Sequence, residues 1–433
     1  MSRILRLALP AIISNVTVPL LGLVDMAIVG HMGDVAYIGA ISIGAMIFNS
    51  LYWMFGFLRM GTSGITAQEF GKKGDTERVF RQTAFIALLL SAGILLLCWP
   101  VCKVALWLMS PDDKVLPMVT TYYYICVMGA PAVLLQYSLT GWFIGMQDTK
   151  RPMIIAISQN IFNIAMSLLL VYVFGMKVEG VALGTMLSQW FSVVLGLVLR
   201  PRPTPSHRGE HKGISSAKIE SLFREGELKR FFVVNRDIFL RTLCMLSVMF
   251  FFTSAGSRQG TDVLAVNTLL MQTWLIFSYF MDGFAYAGEA LCGKYYGAGN
   301  RRMLLKTVKE LFVWGVGLAF AFTALYAFFT TDFLSLLTDE KEVVALAHDY
   351  RMWMILLPAV GFAAFLWDGI FIGMTNSRGM LISCATAAMA FAVVYYFFSN
   401  ILTMQNDALW LAFVAFLFMR GAMQLLLFGK GAR

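Results

Sequence analysis

The chain has 433 residues, of which 59% are hydrophobic and only 14% charged, with a mean hydropathy of +0.72. That balance excludes disordered, fibrous and ordinary soluble classes, because the apolar residues come in long blocks of bilayer-spanning length. The net charge of +9 falls mostly in loops, where it sets topology and meets anionic lipid, and it calls for no nucleic-acid partner.

Twelve helical spans are predicted, at about 5–29, 37–66, 80–102, 119–145, 152–174, 180–200, 232–255, 263–292, 305–329, 343–373, 380–402 and 407–428. So many spans leave no room for a soluble domain, and the first apolar run reads as the first span rather than a cleavable signal peptide. With the N-terminus placed in the cytoplasm, that side receives Arg3, Arg6, Lys72, Lys73, Arg78, Arg81, Lys150, Arg151, the basic stretch 200–230, Arg301, Arg302, Lys306, Arg378, Lys430 and Arg433. The other side holds Lys103, Lys114, Lys177, Arg258 and Lys341, beside acids such as Asp112, Asp113, Asp339, Glu340 and Glu342. The expectation is a multi-pass protein of the plasma (inner) membrane with both termini cytoplasmic.

A charge in hydrocarbon costs several kcal/mol or more, on the order of the insertion scales, so each one needs a partner, a cavity or a function. Asp25 in span one has no basic residue within helical reach. Desolvation favours the neutral form of a carboxyl group there, the property a proton-loading site needs. Pro10 and Pro19 precede it on the same span. Each removes a helical hydrogen bond, so they are read as hinge positions. Span two carries Asn49, Tyr52, Arg59, Ser63 and Thr66 within a narrow sector of a helical projection. Arg59 is read there as the counter-ion of a nearby acid.

Span five places Asn160, Asn163 and Ser167 on one face, and Thr185 in span six is positioned to join them. Asn and Ser oxygens can meet a carboxyl in either protonation state or coordinate a cation. After span six, Pro201, Pro203 and Pro205 disfavour helix, and residues 214–232 alternate apolar and charged groups in the manner of a helix on the inner membrane surface. The expected organisation is therefore a lobe at 1–200, a cytoplasmic connection at 201–231 and a second lobe at 232–433.

Span eight repeats the polar stripe with Tyr279, Asp282, Tyr286 and Glu289. Polar stripes on corresponding helices of two halves suggest a water-accessible central cleft. Asp368 stands in span ten amid Phe365, Leu366, Trp367, Ile370 and Phe371, the loneliest carboxylate of the second half. The abundant aromatic and Met residues, where they line a cleft, suit large lipophilic cations.

The two halves repeat one another. Pro131-Ala132-Val133 leads on to Gly141, Gly145 and Met146, and Pro358-Ala359-Val360 leads on to Gly369, Gly373 and Met374. Gly71–Asp75 and Gly297–Asn300 follow spans two and eight in the same way. An even number of spans per half keeps the orientation, so the repeats are parallel, as in transporters that expose a site between two halves to alternate sides. The expected fold class is an all-α polytopic membrane protein, with twelve transmembrane helices in two parallel-repeat six-helix lobes around a central cavity. The Gly pairs also match a close-packing pattern between membrane helices and are evidence for architecture, not for a binding site.

The cysteines Cys98, Cys102, Cys126, Cys244, Cys292 and Cys384 all fall in apolar spans without metal-ligand spacing to histidine, which disfavours disulfide or zinc roles. No HExxH, GxSxG or paired His/Asp arrangement is present, so the chain reads as no enzyme. No GxxxxGK[ST] loop is present either, which argues against ATP as the energy source. One proton crossing roughly 150 mV yields about 3.5 kcal/mol. That is enough to hold a concentration ratio of a few hundred, about 1.4 kcal/mol being tenfold.

Pro19–Asp25 with Val29-Gly30-His31, then Phe57–Gly61 and Ala67-Gln68, resemble the multidrug and toxic compound extrusion (MATE) family. Asn235-Arg236-Asp237, Asp282–Ala285 with Glu289, Gly145–Lys150 and Gly180–Thr185 are similar to its DNA-damage-inducible-F-like branch, and the resemblance covers the whole chain. It implies a cation-coupled efflux pump whose two six-helix lobes form a V-shaped cavity, with no cofactor and with H+ or Na+ as coupling ion. It also implies that Asp25 is the centre of coupling in the first lobe and that Asn163 and Thr185 match further positions of its network. Where many members carry a second acid in span five, this chain has Ser167. A sodium site near Asp25 would lose a charged ligand, so protons are favoured. Asp368 resembles an acid that other members place in span ten of the second lobe.

The expected activity is secondary active efflux of lipophilic or cationic organic compounds by a monomer in contact with membrane lipids. Asn49, Tyr52, Arg59, Ser63, Tyr279, Asp282, Tyr286, Glu289 and Asp368 are the candidates for the cavity or a second coupling site. A flippase for lipid-linked glycans would need a cationic cleft to hold pyrophosphate, whereas Asp25, Asp282, Glu289 and Asp368 against Arg59 lean acidic. An intramembrane enzyme or a channel lacks a reactive set or a selectivity-filter motif.

Overall fold

The computed structural model describes residues 2–30, 35–201, 227–338 and 340–431. Among these residues the chain is all helical. The helices of the first half are α1 (Arg3–Gly30), α2 (Val35–Met54), α3 (Phe57–Lys72), α4 (Thr76–Leu96), α5 (Cys98–Met109), α6 (Leu116–Val127), α7 (Ala130–Gly145), α8 (Lys150–Leu168) and α9 (Val178–Leu199). The second half contains α10 (Glu227–Ser257), α11 (Thr261–Gly297), α12 (Arg301–Phe328), α13 (Thr330–Leu337), α14 (Lys341–Asp349), α15 (Arg351–Gly373), α16 (Ser377–Asn400) and α17 (Gln405–Gly431). Most of the connection expected at 201–231, with its surface helix, lies outside the described residues.

Among the described residues, ten helices are long and apolar enough to cross a membrane, with α2 and α3 counting as one span of 37 residues. The pair α6 and α7, bent by 48°, makes an eleventh. α1 has 28 residues and a single charge, Asp25, after its first turn, which completes the twelve spans. Two predicted spans differ in detail. The run at 343–373 begins with a separate short helix, α14, and turns at Tyr350 before α15, because Lys341, Glu342 and Asp349 make its first turns polar. Span two breaks at Phe55-Gly56, where the Tyr52 carbonyl accepts from both the Phe55 amide at 3.0 Å and the Tyr137 hydroxyl at 3.2 Å. No break occurs at Pro10 or Pro19, and α1 runs through both.

Two units emerge from Cα packing, one of Ile13–Phe231 and one of Met1–Ile12 with Phe232–Arg433. The first turns of α1, assigned to the first lobe on sequence, therefore pack with the second half. Gly283 of α11 makes this contact close, since a Cβ there would stand 2.9 Å from the Ala8 carbonyl oxygen. Arg3 donates to the Tyr295 hydroxyl at 3.1 Å.

Within each unit the same helix pair packs in the same way. In the first, α7 lies on α3: a Cβ on Gly141 would run into the Arg59 carbonyl oxygen, and one on Gly145 would lie 2.8 Å from that of Ser63. In the second, α15 lies on α11: a Cβ on Gly369 would run into Ala285, and one on Gly373 would lie 2.6 Å from the Glu289 carbonyl oxygen. Backbones this close leave room only for glycine. The ends match too. α7 stops at the left-handed Gln147 (φ 66°) and α15 at the left-handed Thr375 (φ 53°). The following Asp148 and Asn376 amides each donate to the carbonyl five positions back, Phe143 and Phe371, both at 2.9 Å. The side chains of the same two residues cap the next helix, Asp148 through the Lys150 and Arg151 amides and Asn376 through the Gly379 amide. The parallel duplication read from the sequence is thus a duplication of backbone contacts.

Candidate functional sites

In the first unit, α8 starts at the Asp148 cap and passes straight after Leu168 into a π turn, Leu169–Val173. Such turns reorient side chains and recur near functional sites. Two side chains of this segment tie it to α1: Asn160 donates to the Thr17 carbonyl at 3.2 Å and Tyr172 to the Ile28 carbonyl at 3.4 Å. Asp25 lies on the stretch of α1 between these anchor points, and its side chain lies outside the described residues. Between the same points, α8 presents Asn163 and Ser167 to α9.

Asn163 donates to the Thr185 and Ser188 hydroxyls, both at 3.3 Å, and Ser188 donates to the Thr185 carbonyl at 2.7 Å. Gly184 brings α9 against Ser167, since a Cβ on it would stand 2.6 Å from the Ser167 hydroxyl oxygen. Asn163 Oδ1 and Ser167 Oγ are buried without a hydrogen-bond partner among the described residues. Two unsatisfied neutral oxygens in a membrane interior can accept from a protonated carboxyl or contribute to a cation. Asn163, Ser167 and Thr185 are therefore brought together as expected. Ser188 joins them, and a scan for one residue in every turn of span six would have found it.

The polar stripe of span two is divided. Asn49 and Tyr52 stand on α2 and Arg59, Ser63 and Thr66 on α3, with the break between. Asn49 is exposed and Arg59 half-buried. Ser63 and Thr66 are fully buried under Gly141 and Gly145 of α7, which corrects their expected place in an open cleft. On α11, Tyr279, Asp282 and Tyr286 are half-buried while Glu289 is buried, its backbone against Gly373.

Asp368 is not alone. Its Oδ2 accepts from Arg241 on α10 and, at 2.5 Å, from Arg420 on α17, while its Oδ1 accepts from Gln424 at 2.7 Å. The four residues are 7%, 5%, 3% and 0% exposed for Asp368, Arg241, Arg420 and Gln424. Arg420 also lies 5.9 Å from the ring centres of both Phe365 and Phe416. Sequence reasoning missed both arginines, although each is a charge inside a predicted span. At the other end of α17, Asn406 and Asn267 of α11 exchange two hydrogen bonds at 2.8 and 2.9 Å, and the Trp410 indole donates to Asn267 at 2.8 Å. That second network was also missed. Among the described residues no group of three His, Cys, Asp or Glu could hold a metal.

Comparison with known proteins places these features. The family model described as MatE matches residues 10–169 and 238–398, one match in each half. The chain is 36% identical over 421 residues to the "DNA damage-inducible protein F" of Escherichia coli (strain K12), covering 96% of this chain and 89% of that one. It is 21% identical to the "Probable multidrug resistance protein NorM" of Photorhabdus laumondii, covering 88% and 83%. A MOP superfamily transporter structure from Pyrococcus furiosus superposes with a TM-score of 0.84 at 19% identity, over 99% of this chain and 95% of that one.

Proposed function

This chain belongs to the MatE family of multi-pass membrane transporters, and on that premise we propose that it is a secondary active efflux pump exchanging lipophilic, cationic organic compounds for protons. Two lobes of six spans, joined through residues 201–231, alternate access to the cargo, and both chain termini face the cytoplasm. The family resemblance read from the sequence holds, and so does the all-helical, twelve-span, duplicated plan.

The observation that carries the coupling assignment is the polar seam between α8 and α9. Asn163, Ser167, Thr185 and Ser188 face one another beside the segment of α1 that bears Asp25, and two of their oxygens have no partner. In this reading Asp25 takes and releases the proton, and Asn163 and Ser167 accept from its protonated form. A seam of neutral oxygens with one acid is read as favouring a proton, because a sodium site there would lack the second charged ligand that other members of the family carry. Cationic cargo rests on the acidic lean of the sequence, with Asp25, Asp282 and Glu289 inside apolar spans. Asp368 adds nothing to that preference, because two guanidiniums offset it.

The test is efflux of a fluorescent lipophilic cation from proteoliposomes under an imposed pH gradient, with an inward sodium gradient in parallel. Proton-driven efflux is expected. Efflux driven by sodium alone would contradict the choice of ion, and no efflux of any cation under either gradient would contradict the cargo class.

A further inference from the structure

Two rungs tie α1 to the helix that carries the polar seam. The Asn160 side chain donates to the Thr17 carbonyl at 3.2 Å, and the Tyr172 hydroxyl donates to the Ile28 carbonyl at 3.4 Å. The first rung joins residues 143 positions apart and the second residues 144 apart. Between the rungs, α8 and its π turn therefore hold one residue more than α1 does.

That extra residue has to be accommodated. α1 is unbroken from Arg3 to Gly30, so the eleven positions from Thr17 to Ile28 return, at about 100° each, to within about 20° of one face. Twelve positions on a straight α-helix would leave Tyr172 about 120° round from Asn160 and out of reach of α1. The π turn Leu169–Val173 takes up the difference. Its Phe174 amide bonds the Leu169 carbonyl five positions back instead of four, so the turn contains one residue more than an α turn. Tyr172 is thereby carried round to Ile28, in the last turn of α1, where carbonyls have no amide of their own helix to accept from.

The resulting register concerns the coupling residues. Asp25 stands eight positions after Thr17, and Ser167 seven after Asn160. At 1.5 Å per residue, the two backbones are level to within about 1.5 Å. We propose that Asn160 and Tyr172 are positioning residues, which fix the height and rotation of the α1 segment bearing Asp25 against the α8–α9 seam. The π turn is what lets the second of them reach. The inference rests on the reading of Asp25 as the proton carrier, and neither positioning residue handles the proton itself.

The test uses the full chain in proteoliposomes with two readouts: efflux of a fluorescent lipophilic cation driven by a pH gradient, and exchange of that cation for itself with no gradient. Exchange of cargo for cargo needs no proton. Tyr172→Phe keeps the ring and removes one hydrogen bond, so driven efflux should fall about 2- to 10-fold while exchange is unchanged. Deleting Leu169, a 41% exposed residue of the π turn, leaves eleven positions between the anchors on both helices. A plain α-helix satisfies that register, so driven efflux should stay within about twofold of wild type. Inserting an alanine after Leu169 turns Tyr172 away by about 100° and should lower driven efflux at least as much as Tyr172→Phe.

Unchanged driven efflux in Tyr172→Phe overturns the proposal, and so do equal falls in driven efflux and exchange, the mark of a general loss of structure. A deletion of Leu169 as damaging as the insertion, in efflux or in melting midpoint, overturns it too. Asp25→Asn in the same assay separates this inference from the coupling reading. If Asp25→Asn keeps driven efflux, that reading fails; loss in Asp25→Asn with none in Tyr172→Phe removes the positioning role alone.

Discussion

Gly373 lies so close to Glu289 that a Cβ on it would stand 2.6 Å from the Glu289 carbonyl oxygen, and Gly145 stands in the same relation to Ser63 at 2.8 Å. The atoms that a Cβ on Gly373 would meet are all backbone, and one on Gly145 would also meet the Thr66 Cβ at 2.5 Å, which is fixed to its backbone, so any larger residue must push α15 from α11, or α7 from α3. Gly373→Leu and Gly145→Leu are each expected to lower stability by about 1–3 kcal/mol or more, the cost of overpacking. Gly93→Ala, inside α4 with nothing within 4 Å of its Cβ, should be neutral or stabilising by up to about 1 kcal/mol. Melting midpoints in detergent check all three, and an unaffected Gly373→Leu would remove the packing argument for the repeat.

Arg420→Gln should be destabilising by about 1.5–3 kcal/mol, the loss of one charged hydrogen bond, because Arg241 and Gln424 still hold Asp368. The same substitution at exposed Arg302 should change little. A comparison of melting midpoints under one set of conditions separates these outcomes.

Much of this architecture is visible in the chain alone, because bilayer thickness fixes span length and the repeated Pro-Ala-Val and Gly pairs lie in register. Gly141, Gly145, Gly369 and Gly373 contact the helices that their repetition implies. The Asn163–Thr185 contact was legible for a different reason: both are polar groups on apolar helices adjacent in sequence, and such groups seek each other. Asp368 was misread as solitary because Arg420 lies 52 and Arg241 127 positions away, so no local spacing links them. The signal was nonetheless present. Arg241 and Arg420 are charges within apolar spans, and each needed a partner as much as Asp368 did. Asn267 and Asn406, 139 positions apart, escaped for the same reason.

Asn267→Leu should cost roughly 1–3 kcal/mol for each buried group left without its hydrogen bond, here the Asn406 amide and the Trp410 indole. The paired change Asn267→Leu with Asn406→Leu should recover part of the loss, because two apolar groups then replace a matched polar pair. Melting midpoints of the single and double variants check this, and strict additivity would contradict it.

Ser167→Asp returns a second acid to the α8–α9 seam, next to Asn163 and Gly184. The expected outcome is efflux that gains a response to an inward sodium gradient, since the site acquires the charged ligand it lacks. A variant that remains folded and proton-driven, with no sodium response, would count against the seam as the ion site.

The central claim is that Asp25 carries the coupling proton. Proton-driven efflux of a fluorescent lipophilic cation from proteoliposomes, wild type against Asp25→Asn at matched protein content, tests it most directly. The account predicts that the variant binds the cation but loses efflux driven by the pH gradient. Undiminished proton-driven efflux by Asp25→Asn would contradict it and move the coupling site to Asp282, Glu289 or Asp368.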